Sequence, residues 1–97
     1  MDKIKDLQAK QGKVEIEATV KELGPVREFN KFEKTGKVCN AKIEDDSGSM
    51  TLTLWNEEIE KLKPGSKIKI TNGYVSEWQG EKQISAGRYG KIEIIEN

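Results

Sequence analysis

Apolar residues in this 97-residue chain recur at every second position, a period that belongs to strands and excludes a helical bundle. Val14, Ile16, Ala18 and Val20 alternate with Lys13, Glu15, Glu17, Thr19 and Lys21. Cys39, Ala41 and Ile43 alternate with Asn40 and Lys42. Met50, Leu52 and Leu54 alternate with Thr51, Thr53 and Trp55, and Ile68 and Ile70 sit among Lys67, Lys69 and Thr71. Each stretch is a half-buried strand with one face inward. Two short segments read as helical. Residues 2–8 form one turn that turns Ile4 and Leu7 inward. Glu57 to Leu62 forms a short helix, with Asn56 as its N-cap and glutamates at the positive end of the helix dipole.

Turn residues punctuate these segments. Gly24-Pro25 ends the first strand, and a long polar loop follows to about Gly36. The second strand spans about Lys37 to Glu44. Asp45-Asp46-Ser47-Gly48 turns it into the third, making a hairpin. Pro64-Gly65 stops the short helix. Asn72-Gly73 reads either as a type I′ turn or as a bend inside a longer fourth strand. The bend is preferred, because it shifts the parity, returns Val75 to the core and turns Tyr74 outward. Trp78-Gln79-Gly80 is a loop tip. Residues 81–86 and 91–95 form the last strand or strands, split by Gly87-Arg88-Tyr89-Gly90. The order is strand, long loop, hairpin, short helix, strand, loop, strand. It predicts an all-β, five-stranded Greek-key OB-fold barrel, with the helix between strands three and four. Residues 1–97 read as one such domain, with 1–12 as a turn or short helix capping the barrel.

Several function classes are excluded within this chain. There is no His and one Cys, which rules out Cys/His zinc clusters, disulfides and His-based nucleophilic triads. Glu57, Glu58 and Glu60 are neighbouring carboxylates, but the helix dipole accounts for them. Gly65-Ser66-Lys67 lacks the rest of a P-loop. No catalytic residue, metal or cofactor is expected. No apolar run approaches membrane-spanning length and no signal peptide is legible, so a cytoplasmic, nucleoid-associated location is expected. Lys+Arg and Asp+Glu are both 17 and cancel. The sum conceals a pattern. Residues 21–42 carry six positive and three negative charges, 43–66 two and six, and 67–91 five and two. Folding can gather the two basic zones on one face.

Trp55 carries the functional reading. Its parity places a large flat ring on the polar face of its strand, beside Thr53. An OB-fold presents ligands on strands two and three, clamped by the first-second and fourth-fifth loops. Those places hold Lys42, Thr53 and Trp55, then Arg27, Phe29, Lys31, Phe32 and Lys34, then Tyr74, Trp78 and Lys82, with Arg88 just beyond. Aromatics interleaved with cations suit single-stranded nucleic acid, whose bases stack and whose phosphates need positive charge. Blander readings stand beside this one. Phe29 and Phe32 can pack the long loop, Tyr89 can be structural, the cations can be ordinary solvated charges, and Cys39 is a small core residue.

The stretches Asp45-Asp46-Ser47-Gly48, Leu52-Thr53-Leu54-Trp55, Gly73-Tyr74 and Gly87-Arg88-Tyr89-Gly90 resemble archaeal single-stranded-DNA-binding OB-folds, the relatives of replication protein A. The resemblance runs from about Val14 to Ile95. It implies that aromatics at the positions of Trp55, Tyr74 and Trp78 stack on bases. It also implies work in DNA replication, repair or recombination, alongside other replication or repair proteins. No Gly/Arg-rich or acidic tail, second OB domain or zinc finger is present, as for one module of a longer protein. The expected function is binding of single-stranded DNA with little sequence specificity. The alternatives are an RNA- or tRNA-binding OB module and a protein-interaction OB module of a larger complex.

Overall fold

The computed structural model describes residues 2–31, 34–86 and 90–96, without the side chains of Lys31 and Trp78. A 3-10 turn, Ile4–Asp6, precedes β1 (Val14–Leu23). There follow β2 (Arg27–Lys31), β3 (Lys34–Glu44), β4 (Ser49–Trp55), α1 (Glu57–Lys61), β5 (Lys67–Trp78), β6 (Glu81–Ser85) and β7 (Lys91–Glu96). The strands pair in the order β1-β3-β4-β6-β5-β7, and β1 pairs β5 as well, so the path β1-β3-β4-β6-β5 returns to its start. All pairings are antiparallel except β4–β6.

In β1, β3, β4 and β5 the inward set is the apolar set of the alternation. Val14, Ile16, Ala18, Val20, Cys39, Ala41, Ile43, Leu52, Leu54, Ile68, Ile70, Val75 and Ile84 are buried in one cluster, and Ile4, Leu7 and Leu62 close it. Among the described residues, no aromatic belongs to that cluster. Fully burying one such aliphatic side chain contributes about 1.5–3 kcal/mol, so the alternation is enough to fix which face of each strand turns in.

Four expectations need correction. The described residues form seven strands, not five. Part of the polar loop before Gly36 is the strand β2, which pairs with a longer β3 through Arg27↔Val38, Phe29↔Gly36 and Lys31↔Lys34. This hairpin was hidden because Arg27-Glu28-Phe29-Asn30-Lys31 buries no face and shows no apolar alternation. Asn56 does not cap α1 with its side chain. Its Oδ1 accepts from the Lys37 N–H at 2.9 Å, and its own N–H donates to the Lys37 carbonyl at 2.9 Å, extending the β3–β4 ladder. Trp78 is the last residue of β5 rather than a loop tip. The turn is the two residues Gln79 and Gly80, both at positive φ (50° and 84°), the geometry of a type I′ hairpin.

The bend at Asn72-Gly73 is a β-bulge. Ile16 pairs Ile70 and Val14 pairs Gly73, so two residues of β1 span three of β5. Asn72 takes φ 55°, a left-handed conformation that Asn tolerates. Gly73 then lies in the core, where an added Cβ would come within 3.0 Å of Ile70 Cγ2 and 3.2 Å of Ile84 Cδ1. Parity changes here: Ile68 and Ile70 point inward before the bulge, Val75 after it.

The turn after β3 ties the N-terminal segment down. Asp45 Oδ1 accepts from the Ser47 N–H (2.7 Å), the Ser47 hydroxyl (2.6 Å) and the Gly48 N–H (3.1 Å), while Oδ2 accepts from the Ile4 N–H (3.0 Å). Burial alone would push this carboxyl up, but the bonds from Ser47, Ile4 and Gly48 outweigh it and hold it below the ordinary range. Beside it, the Lys3 ammonium donates to Asp46 at 2.8 Å, and that bond and charge raise the lysine above its ordinary value.

Candidate nucleic-acid interface

Residues paired across neighbouring strands share a face of the sheet. Because Cys39, Ala41, Leu52, Leu54, Val75 and Ile84 point inward, the residues between them form one outer surface across β2, β3, β4, β6 and the far half of β5. Register lays it out in rows. Arg27, Val38 and Trp55 form one row. Asn40, Thr53, Ser85 and Tyr74 form the next, and Lys42, Thr51, Gln83 and Ser76 the one after. Trp78 pairs Glu81 at the far end of β5. Phe29 opposite Gly36, and Lys31 opposite Lys34, extend the surface along the β2–β3 hairpin.

Two rings stand out on it. Trp55 is 42% exposed and Tyr74 47%. They lie two strands apart and one row along the sheet, roughly 12 Å between Cα atoms from ordinary strand spacings. The Trp55 ring meets Phe29 edge-on, with centroids 5.8 Å apart and planes at 85°. The Trp55 backbone N–H donates to the Glu58 carboxylate at 3.1 Å, so α1 anchors the end of β4. The Tyr74 ring lies beside the Gly12 backbone. Between the two aromatics the surface is polar, and the Thr53 hydroxyl donates to Gln83 Oε1 at 3.4 Å.

Below Trp55 a groove of about 620 Å³ crosses the surface, with Asn40, Lys42 and Thr51 along it and Glu22, Glu81 and Lys82 at its sides. Glu22 is the cross-strand neighbour of Lys42. The two lysines and two glutamates cancel, so the groove is close to neutral. Lys82 is also tied into the fold, since its Nζ donates to the Leu7 carbonyl at 2.8 Å. The ion pairs of the described residues, Lys3–Asp46, Lys21–Glu44, Lys69–Glu15 and Lys91–Glu93, engage none of Arg27, Lys34 and Lys42.

Of the residues singled out from sequence, Arg27, Phe29, Lys34, Lys42, Thr53, Trp55 and Tyr74 therefore lie on one surface. Lys82 stands at its margin. Lys31 and Trp78 are placed on it by register alone, and Phe32 and Arg88 lie outside the described residues, as does Tyr89. Sequence reasoning missed the polar patch of Gln83, Ser85 and Ser76, because it takes shape only through the parallel β4–β6 pairing. It also missed the acids at the groove. Asn40 and Thr51 were legible as outward by parity. Among the described residues, no group of Cys, Asp or Glu could hold a metal, and no helix is long and apolar enough to cross a membrane.

Residues 14–94 match the OB-fold nucleic acid binding domain. The chain is 26% identical over 91 residues to "Single-stranded DNA binding protein Ssb" of Saccharolobus solfataricus, covering 94% of this chain and 62% of that protein. It is 35% identical over 97 residues to "Replication factor A" of Methanothermobacter thermautotrophicus, covering 94% of this chain and 12% of that protein. The chain thus spans about three fifths and one eighth of these two relatives. A crystal structure of a domain of replication protein A from Methanococcus maripaludis superimposes with a TM-score of 0.81 at 33% identity, over 99% of this chain and 96% of that one. The match covers β1 through most of β7, including every strand of the surface described above. The chain belongs to the family of OB-fold nucleic acid binding domains.

Proposed function

We propose that this chain binds single-stranded DNA with little sequence specificity. Bases stack on Trp55 and Tyr74, and on Trp78 at the end of β5. Phosphates meet Arg27, Lys31, Lys34 and Lys42 along the β2–β3 hairpin and its continuation. The observation that carries this reading is the division of labour among the described apolar side chains: no described ring lies in the core, whose members are aliphatic apart from Cys39, while Phe29, Trp55 and Tyr74 are exposed on one outer surface. An exposed ring costs solubility unless it meets a partner, and a base offers a π-face of matching size. The names of the archaeal relatives support the same ligand. The work is binding rather than catalysis, in replication, repair or recombination in the nucleoid, together with other proteins of those processes.

Titrating oligo-dT at two salt concentrations tests this reading. Tryptophan fluorescence should be quenched on binding. With about four phosphates contacted, log K should fall with log salt at a slope of about −3. Trp55→Ala should weaken binding at least tenfold, within the ~1–3 kcal/mol ascribed to one stacked base. Unchanged affinity in that variant would overturn stacking on Trp55. A clear preference for matched RNA over DNA would transfer the reading to RNA, and no binding to either strand at low salt would leave the surface to a protein partner.

A further inference from the structure

We infer that Gly36 and Phe29 are positioning residues that set the Trp55 ring in place before any strand binds. Gly36 lies on the outer surface of β3, yet it is buried. What covers it is Phe29, its direct cross-strand partner on β2. An added Cβ at Gly36 would overlap Phe29 Cζ and stand 2.9 Å from Cε1 and Cε2. The phenyl ring therefore lies down across β3 in the space where a side chain would otherwise stand. Lying there, it reaches the next strand and meets Trp55 at 5.8 Å, edge to face. Register shows why the glycine is needed. Trp55 pairs Val38, one row along from the Phe29–Gly36 pair, so the two rings can touch only if Phe29 crosses over position 36.

The device saves ordering at the moment of binding. An exposed indole that must be immobilised by its ligand forfeits affinity, and one already braced does not. Aromatic pairs at this geometry are favourable beyond the area they bury. The arrangement also gives the β2–β3 hairpin a function apart from its charges: it carries the brace. For its binding arm this inference rests on the single-stranded DNA reading, while its structural arm does not.

A double-mutant cycle with oligo-dT tests it. Gly36→Ala should weaken binding roughly three- to tenfold, the size of one side chain left to be ordered by ligand. Phe29→Ala should do the same. In the Phe29→Ala background the added methyl meets no ring, so the double variant should bind no more weakly than Phe29→Ala alone. Independent, multiplying losses would overturn the inference, as would full affinity in Gly36→Ala. The second arm needs no DNA. In the free protein, the indole N–H resonance of Trp55, assigned by its loss in Trp55→Phe, should move in both Gly36→Ala and Phe29→Ala, while that of Trp78 stays. An unmoved Trp55 signal overturns the brace even if oligo-dT does not bind at all, a result that would sink the DNA reading separately. Thermal melts accompany each variant. Should Gly36→Ala fail to fold, Phe29→Leu, which leaves the glycine intact and removes the ring, must move the Trp55 signal and weaken binding, and failure to do so counts against the brace.

Discussion

The two halves of β5 have the same backbone partners in kind but opposite surfaces. From Lys67 to Thr71 the outer side chains are Lys67, Lys69 and Thr71, and their neighbours on β1 and β7 are Glu17, Thr19, Lys91, Glu93 and Glu96. Charges alternate across the three strands, and Lys69 reaches Glu15 at 3.6 Å while Lys91 reaches Glu93 at 3.3 Å. Beyond the bulge, the outer positions are Tyr74, Ser76 and Trp78, and their neighbours on β6 are Ser85, Gln83 and Glu81. The near half solves a solubility problem with paired charges, each such exposed pair contributing about 0–1 kcal/mol. The far half leaves a ring exposed and pairs it with hydroxyls and an amide. One strand thus carries an inert surface and a candidate recognition surface, and a single extra residue separates them.

Adding one more residue after the bulge should have the largest effect. A slip of one position turns every following side chain to the other face. Inserting one residue between Gly73 and Tyr74, while Val14 and Gly73 keep their pairing, would turn Tyr74 and Ser76 into the core and Val75 out of it. A loss of roughly 4 kcal/mol or more is expected, enough to abolish a cooperative thermal transition followed by circular dichroism. An insertion variant that melts like the parent would show that strand parity beyond Gly73 does not separate the faces. The comparison is sharpened by two substitutions on either side of the bulge. Tyr74→Ala should weaken oligo-dT binding by ~1–3 kcal/mol with little change in melting temperature. Lys69→Ala, on the same strand and equally polar in its surroundings, should leave affinity within twofold and lower stability by at most about 1 kcal/mol. If the lysine matters as much as the tyrosine, binding is diffuse charge attraction and the contrast between the two halves has no functional content.

How far the sequence disclosed this depends on which force fixed each element. Wherever burial decides, alternation was sufficient: β1, β4 and the inward residues of β3 and β5 follow the apolar period, and Trp55 was legible as outward from its place among threonines. The bulge was readable because Val75 breaks parity with Ile70. The β2–β3 hairpin was not, since β2 is held by backbone pairing and by one phenyl ring lying over a glycine, neither of which leaves a period in the sequence. Nor was the role of Asn56 legible. Asn ahead of glutamates favours an N-cap, but a φ of 51° turns its amide back to the Lys37 N–H instead. Nor was the tie between Lys82 and the N-terminal segment legible, because local charge cannot reveal that a carbonyl 75 positions earlier, that of Leu7, lies within 2.8 Å. In the candidate surface, individual aromatics were visible, whereas the polar row joining them depends on strand partners distant in sequence.

A smaller effect separates charge that is used inside the fold from charge that decorates it. Asp45 is the carboxylate with four hydrogen bonds, in contrast to the single long contacts of Glu15 and Glu93. Its pKa is lowered in the folded chain relative to an unfolded value of about 3.9. The stabilisation is therefore complete well above that value, declines as pH falls through it, and is gone once the pH is below the folded value. Asp45→Asn keeps the shape but replaces one acceptor oxygen with an N–H₂ group facing either the Ile4 N–H or the Ser47 and Gly48 donors. At pH 7 the variant should be less stable by about 1 kcal/mol, the net size of a hydrogen bond. The gap should narrow as pH falls below the unfolded value, because the parent's advantage is lost between the unfolded and the lower folded pKa. Urea melts of the parent and Asp45→Asn at pH 7 and pH 3 measure this. A gap for Asp45→Asn that persists unchanged at pH 3 would mean that amide geometry, not the carboxylate's charge, is what the turn requires.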